Sequence, residues 1–183
     1  MADKNLKVVL FVSRNKDNKI LVGFKERKKN FLTTKEPEEL QKEFNAFVDD
    51  GLIGEVSRFY MSVNSRDNEK IQQSLQHYLL DNNVDMSKLD SKVASIAAKP
   101  ENALEHKWLF DCDFNDMLKM DRFKLEIIRK YLPEGNFVIK ETLNGFALVV
   151  HHGFDTRELL AKYPDVELKR DAMLLVDWKV KDD

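Results

Sequence analysis

Lys107-Trp108-Leu109-Phe110-Asp111-Cys112-Asp113 is a short apolar run that ends in two acids spaced i, i+2. On a β-strand successive side chains leave opposite faces, so Trp108, Phe110 and Cys112 point one way and Leu109, Asp111 and Asp113 the other. The segment therefore reads as a packing face backed by an acidic one. Two carboxylates on one face repel each other and lose solvation, a cost that a surface tolerates and a core does not unless a divalent cation sits between them. The same residues also have a plainer use: Asp113 or Asn115 stands where the N-cap of a following helix belongs.

Downstream, the spacing of Leu118, Leu125, Ile128 and Leu132 predicts a helix from about Asn115 to Tyr131, broken at Pro133-Glu134-Gly135-Asn136. Phe137 to Leu143 and Phe146 to His152 then flank Asn144-Gly145, the strongest short hairpin signal because a type I′ turn needs positive φ at both central residues. A two-residue loop there sets Leu143 opposite Phe146, Thr142 opposite Ala147, Lys140 opposite Val149 and Val138 opposite His151. Phe137, Ile139, Leu143, Phe146, Leu148 and Val150 would face a core, and Lys140, Thr142, Ala147 and His151 a more open surface. A short helix from Thr156 to Lys162 ends before Pro164, and Met173-Leu174-Leu175-Val176-Asp177-Trp178 reads as a closing strand.

Upstream, Arg58 to Asn64 alternates strictly, with Phe59, Met61 and Val63 on one face and Arg58, Tyr60, Ser62 and Asn64 on the other. Helical patterns follow from about Asn68 to Leu80 and from Met86 to Ala98, the second stopped by Pro100. Nearer the N-terminus, Lys7 to Val12 and Ile20 to Phe24 bracket a polar turn and predict a hairpin. Pro37 opens a helix through Leu40, Phe44, Phe47 and Val48. The basic stretch Lys25 to Lys35, with Phe24 and Phe31, is predicted as a loop, either simply solvated or contacting phosphates and stacking on bases.

The expected fold is α+β. Residues 1–57 form an N-terminal β-hairpin and helix extension, and residues 58–183 form a mixed sheet with helices on one face, close to a ferredoxin-like or RRM-like core. The other face would gather Arg58, Tyr60, Asp111, Asp113, Lys140, Thr142 and Asp177. With 183 residues, 43% hydrophobic and 34% charged, the chain can bury a sizeable core. A net charge of −2 provides no global attraction to a polyanion, so nucleic-acid binding must rest on a local patch. The single cysteine excludes an internal disulfide and a cysteine-based zinc site, and suits a reducing cytoplasm. No apolar run approaches the ~20 residues of a membrane span, and the N-terminus lacks a signal-peptide core, so a cytoplasmic location without membrane partners is expected.

On these motifs, residues 58 to 178 resemble the archaeo-eukaryotic primase and primase-polymerase superfamily. In that family an apolar strand ends in an Asp-x-Asp pair that holds divalent metal, matched here by Asp111 and Asp113. A later strand contributes a third acid, matched by Asp177, with Asp171 as competitor. A strand between them bears a histidine that contacts the incoming triphosphate after a Gly-aromatic step. Here that step is Asn144-Gly145-Phe146-Ala147, with Ala147 where the histidine belongs. His151, four residues along, stands about 13 Å away at ~3.3 Å per residue and does not replace it. The resemblance implies a metal-dependent nucleotidyltransferase working on a nucleic-acid template with Mg²⁺ or Mn²⁺ at Asp111, Asp113 and Asp177. Arg58, Arg66 and Lys140 would take the nucleoside triphosphate. Ala147 also fits a second expectation, a catalytically degenerate primase-fold module that binds nucleic acid or a protein partner.

Overall fold

Lys7-Val8-Val9-Leu10-Phe11-Val12-Ser13 forms β1 (Lys7–Ser13), whose β-branched and aromatic residues suit an inner strand buried on both faces. In the computed structural model, which describes residues 5–183, β1 is flanked by β2 (Arg27–Thr33) and β3 (Val56–Ser62). With β8 (Met173–Val180) they form a four-stranded antiparallel sheet in the order β2-β1-β3-β8. Val9 and Phe11 of β1 share a face with Phe59 and Met61 of β3, and a 3-10 turn at Pro37–Leu40 leads into α1 (Gln41–Asp49), which packs there through Leu40, Phe44, Phe47 and Val48. Phe11 is the hub: its ring centre lies 5.0–5.8 Å from those of Phe59, Phe44, Phe31 and Phe47. Each such pair is worth about 0.5–1.5 kcal/mol beyond its area.

The opposite face of this sheet is also covered. Asn30 pairs with Leu10, so it leaves the face opposite Phe31 and Val9. Its side chain exchanges hydrogen bonds with Ser91 of α3 (Leu89–Ala97): Ser91 Oγ donates to Asn30 Oδ1 at 2.6 Å, and Asn30 Nδ2 donates to the Ser91 carbonyl at 3.3 Å. The preceding α2 (Asn68–Asp81) is capped by Asp67, which accepts from the amides of Glu69 and Lys70. The expectation of helices on one face only is thus corrected for this sheet.

The N-terminal hairpin is corrected as well. The strand opposite β1 is the basic run Arg27–Thr33, whereas Ile20 and Val22 are 91% and 97% exposed. Asn18 explains why. Its buried amide donates to Ser13 Oγ and to the carbonyls of Arg14 and Val56, and its Oδ1 accepts from the Val56 amide at 2.7 Å. Successive turns from Arg14 to Phe24 follow, so the apolar segment is taken up in a loop and the next extended stretch pairs instead.

A second sheet has the order β5-β6-β4-β7, built from β4 (Lys107–Cys112), β5 (Val138–Thr142), β6 (Gly145–His151) and β7 (Val166–Lys169). The pairings of β4 with β6, β4 with β7 and β5 with β6 are antiparallel. Phe110, Cys112, Phe146, Leu148, Val150 and Val166 face α4 (Met117–Lys130) and α5 (Arg157–Lys162), meeting Met120, Phe123, Ile127 and Leu159. The packing face read from β4 is therefore the core face. Asp116, rather than Asp113 or Asn115, caps α4 by accepting from the amides of Leu118 and Lys119.

The β5–β6 register is Thr142 with Gly145, Lys140 with Ala147 and Val138 with Val149, two residues off the predicted pairing. A shift of two preserves every side chain's face, because strands repeat with period two. The loop residues are Leu143 and Asn144, and no described non-glycine residue has positive φ, so the expected type I′ turn does not form. Gly145 is needed for a different reason: a Cβ placed on it would lie 2.0 Å from the Cys112 carbonyl oxygen and 2.9 Å from the backbone of Phe114.

The chain divides into two compact units, one running up to Glu105 together with Leu175–Asp183, the other His106–Leu174. The expected boundary between residues 57 and 58 falls inside β3, an inner strand of the first sheet, so the N-terminal segment belongs to that sheet. The single mixed sheet expected from the sequence is two antiparallel sheets. No helix among the described residues is long and apolar enough to cross a membrane.

Candidate functional site

The two sheets divide the candidate residues. Asp111, Asp113 and Lys140 belong to the second unit, whereas Arg58, Arg66 and Asp177 belong to the first. Within the second sheet the register sets Asp111 beside Ala147 on one side and Glu167 on the other, with Lys140 opposite Ala147. Lys140, Ala147, Asp111 and Glu167 therefore form one cross-strand row on the face away from the α4–α5 core. Adjacent strands are ~4.8 Å apart. Ala147, standing where a histidine was expected, is thus the immediate neighbour of the first acid, and it is buried.

Asp111 is already engaged. Lys169 Nζ donates to its Oδ2 at 2.5 Å and lies 3.7 Å from Glu167 Oε2. Burial alone would lower the Lys169 ammonium's pKa, but the hydrogen bond and charge of Asp111, with Glu167 adding to them, outweigh it and raise it. The lysine is thus held as a cation against the acid that a metal would need. Asp113 lies just past β4. Its amide donates to the Asp165 carbonyl at 2.9 Å, and its carboxylate is exposed. Asp165 is in turn ion-paired with Lys119. Lys140, on the edge strand β5, is half-buried.

In the first unit, Asp177 on β8 accepts from Gln41 Nε2 at 3.1 Å and from the Trp178 amide at 2.9 Å. Arg58, only 8% exposed, donates from Nη2 to Asp17 Oδ1 at 2.5 Å and from Nη1 to the Tyr60 hydroxyl at 3.2 Å, while its buried Nε has no hydrogen-bond partner among the described residues. Arg66 is buried, its amide donating to the Leu6 carbonyl at 2.8 Å. Asp171 lies between β7 and β8. Among the described residues no group of three or more His, Cys, Asp or Glu side chains is gathered for a metal ion. Of the acids expected to hold Mg²⁺ or Mn²⁺, Asp111 and Asp113 lie in the second unit and Asp177 in the first, and Asp111 and Asp177 each already have a side-chain partner. Asp111 is neutralised by a lysine, and Asp177 is tied to Gln41.

Sequence reading missed Lys169, because Val166-Glu167-Leu168-Lys169 is too short an alternation to stand out after Pro164. It also missed the use of Arg27, whose guanidinium binds Glu55 at 2.5 Å and stacks 4.4 Å from the centre of the Phe47 ring. Cys112 is buried, and burial, with the charges of Asp111, Asp165 and Asp113 adding to it, pushes its thiol up to about 12. It is a packing residue and not a nucleophile.

No protein-family model matches this chain, and neither a curated protein nor a solved structure matches it.

Proposed function

We propose that this chain is a catalytically degenerate module of primase-like ancestry that binds nucleic acid through the open edge of its first sheet. The observation that carries the reading is β2. It is an edge strand, and Lys25, Lys28 and Lys29 on it and just before it are exposed, with no carboxylate at ion-pair distance among the described residues. Lys29 lies 5.7 Å from the centre of the Phe31 ring. A chain of net charge −2 thus carries a local cationic strip, which is what a polyanion needs. Arg27 and Lys35 belong to the same run, but each is paired with a glutamate.

The test is fluorescence anisotropy with a labelled single-stranded oligonucleotide across a salt series, comparing wild type with Lys25→Gln/Lys28→Gln/Lys29→Gln. Removing one lysine–phosphate interaction should flatten the slope of log K against log salt by about 0.7. The triple variant should therefore flatten it by about 2. Edge lysines also keep a strand from pairing with another sheet. An unchanged slope would leave them that role and sink the proposal.

The rival reading is metal-dependent nucleotidyl transfer, using Asp111, Asp113 and Asp177 for Mg²⁺ or Mn²⁺ and Arg58, Arg66 and Lys140 for a nucleoside triphosphate. It draws support from the row that sets Lys140 and Asp111 on either side of Ala147. It requires Asp111 to leave Lys169. Calorimetry decides it: Mn²⁺ binding that is abolished by Asp111→Ala with Asp113→Ala supports transfer, and no binding by the wild type refutes it.

A further inference from the structure

At the end of the second sheet, where β4 begins and β6 ends, the register gathers aromatic side chains around Trp108. The His152 ring centre lies 6.2 Å from that of Trp108 and 5.7 Å from that of His106, which meets it edge to face. Phe154 lies 5.4 Å from Trp108 and stacks on Tyr131 at 4.8 Å. Phe154 and Tyr131 pack against the core, which makes a firm floor. His106 and His152 are exposed, and neither hydrogen-bonds to another described residue.

Arg170 completes the cluster. It continues the β4–β7 register one residue past Lys169, opposite Trp108, and its guanidinium carbon lies 5.9 Å from the centre of that ring. It is exposed and has no carboxylate at ion-pair distance among the described residues, whereas Arg157 is engaged by Asp155. A guanidinium within about 6 Å of an aromatic ring centre is attracted to the ring face, so Arg170 is held beside Trp108 while its planar head stays exposed.

We propose that His106, Trp108, His152 and Arg170 form a stacking shelf for an unpaired nucleobase, with the Arg170 guanidinium also reaching the adjacent phosphate. Aromatic faces beside an unpaired cation are the chemistry by which single strands are held without regard to sequence. The shelf deepens the nucleic-acid reading of the β2 edge, but it rests on different residues in the other unit and is tested separately.

The chain has two tryptophans, so Trp178→Phe leaves Trp108 as the reporter. In that background, Trp108 emission is followed with an oligothymidylate of about eight nucleotides, within the site size of a single-strand-binding fold, with an abasic oligonucleotide of equal length, and with thymidine monophosphate alone. Quenching by the oligothymidylate and the mononucleotide, but not by the abasic strand, is expected. His152→Ala and Arg170→Ala should each weaken oligothymidylate binding about tenfold, the scale of removing one base from its stacking partner. His152→Ala should leave abasic binding unchanged. Anisotropy that shows oligothymidylate bound while Trp108 emission stays constant overturns the shelf and leaves the β2 reading standing. Quenching by the mononucleotide in a chain that binds no oligonucleotide supports the shelf and removes the β2 reading. Constant emission with both thymidine ligands overturns the shelf.

Discussion

Replacing Gly145 by alanine is the sharpest probe of how the second sheet is held together. Gly145 opens β6, and its backbone runs so close to the end of β4 that an added Cβ would sit 2.0 Å from the Cys112 carbonyl oxygen. Phe114 N and Phe114 O, each 2.9 Å away, close off two other directions. All three obstacles are backbone atoms, so no rotamer change relieves the clash. The strands must separate by about 1 Å, which strains or breaks one or two ladder hydrogen bonds near the Cys112–Phe146 pair. At about 0.5–1.5 kcal/mol per bond and about 1–3 kcal/mol for overpacking, the loss is about 2–4 kcal/mol. For a chain of this size that lowers Tm by about 5–15 °C. Urea and thermal unfolding followed by circular dichroism measure it, with Asn144→Ala as the control. If Gly145 were needed for a type I′ turn, Asn144 would also require positive φ, and its replacement would cost a comparable amount. The structure instead predicts a change of less than about 0.5 kcal/mol at Asn144. A Gly145→Ala protein within that margin of wild type would refute the close-approach account.

Three further outcomes test the buried ion pair and the buried thiol. Burial tends to raise the Asp17 carboxyl, but hydrogen bonds from Arg58 and Arg14 outweigh it and hold it below its ordinary 3.8. Its contribution to stability is therefore full above about pH 4 and lost as pH falls through the lower folded value. Urea midpoints measured from neutral pH down to about pH 3 should fall less steeply for Asp17→Asn than for wild type. Asp17→Ala should cost about 2–4 kcal/mol at neutral pH, because it strands the Arg58 charge in a largely buried position. The Cys112 thiol, at about 12 and buried, should resist iodoacetamide at mildly alkaline pH in the folded chain and react once urea unfolds it; rapid native-state labelling would contradict its placement in the core.

Much of the secondary structure could be read from local pattern. The β4 face of Trp108, Phe110 and Cys112 packs as the alternation requires, and helices form close to where periodicity put α2, α3 and α4, but the α4 stripe is corrected: Leu118 and Leu125 are exposed and Met120, Phe123 and Ile127 face the core instead. Readings failed where an interaction distant in sequence overrode local preference. Ile20 to Phe24 has the composition of a strand, yet Asn18, anchored on Val56, turns that segment into loop and hands the pairing to a run rich in lysine. The candidate site shows the same division. The faces of Asp111 and Ala147 were readable because side-chain alternation is a property of each strand alone, but their adjacency depends on the β4–β6 pairing. The lysine that occupies Asp111 was not, since Lys169 reaches it only through the short strand β7.

The amino-acid sequence by itself determined the periodicities, the helix breaks, the faces of the strands and the alanine at position 147. Those are local consequences of backbone geometry and residue type, and they hold in any arrangement of the elements. Tertiary structure alone decided that β8 joins β3, that Asp111 faces a lysine, that Gly145 is required for close approach to the β4 backbone, and that Trp108 lies beside His152 and Arg170, with His106 against His152. Strand partners and charge pairs depend on loop closure and on burial summed over distant residues, which no short window of sequence contains.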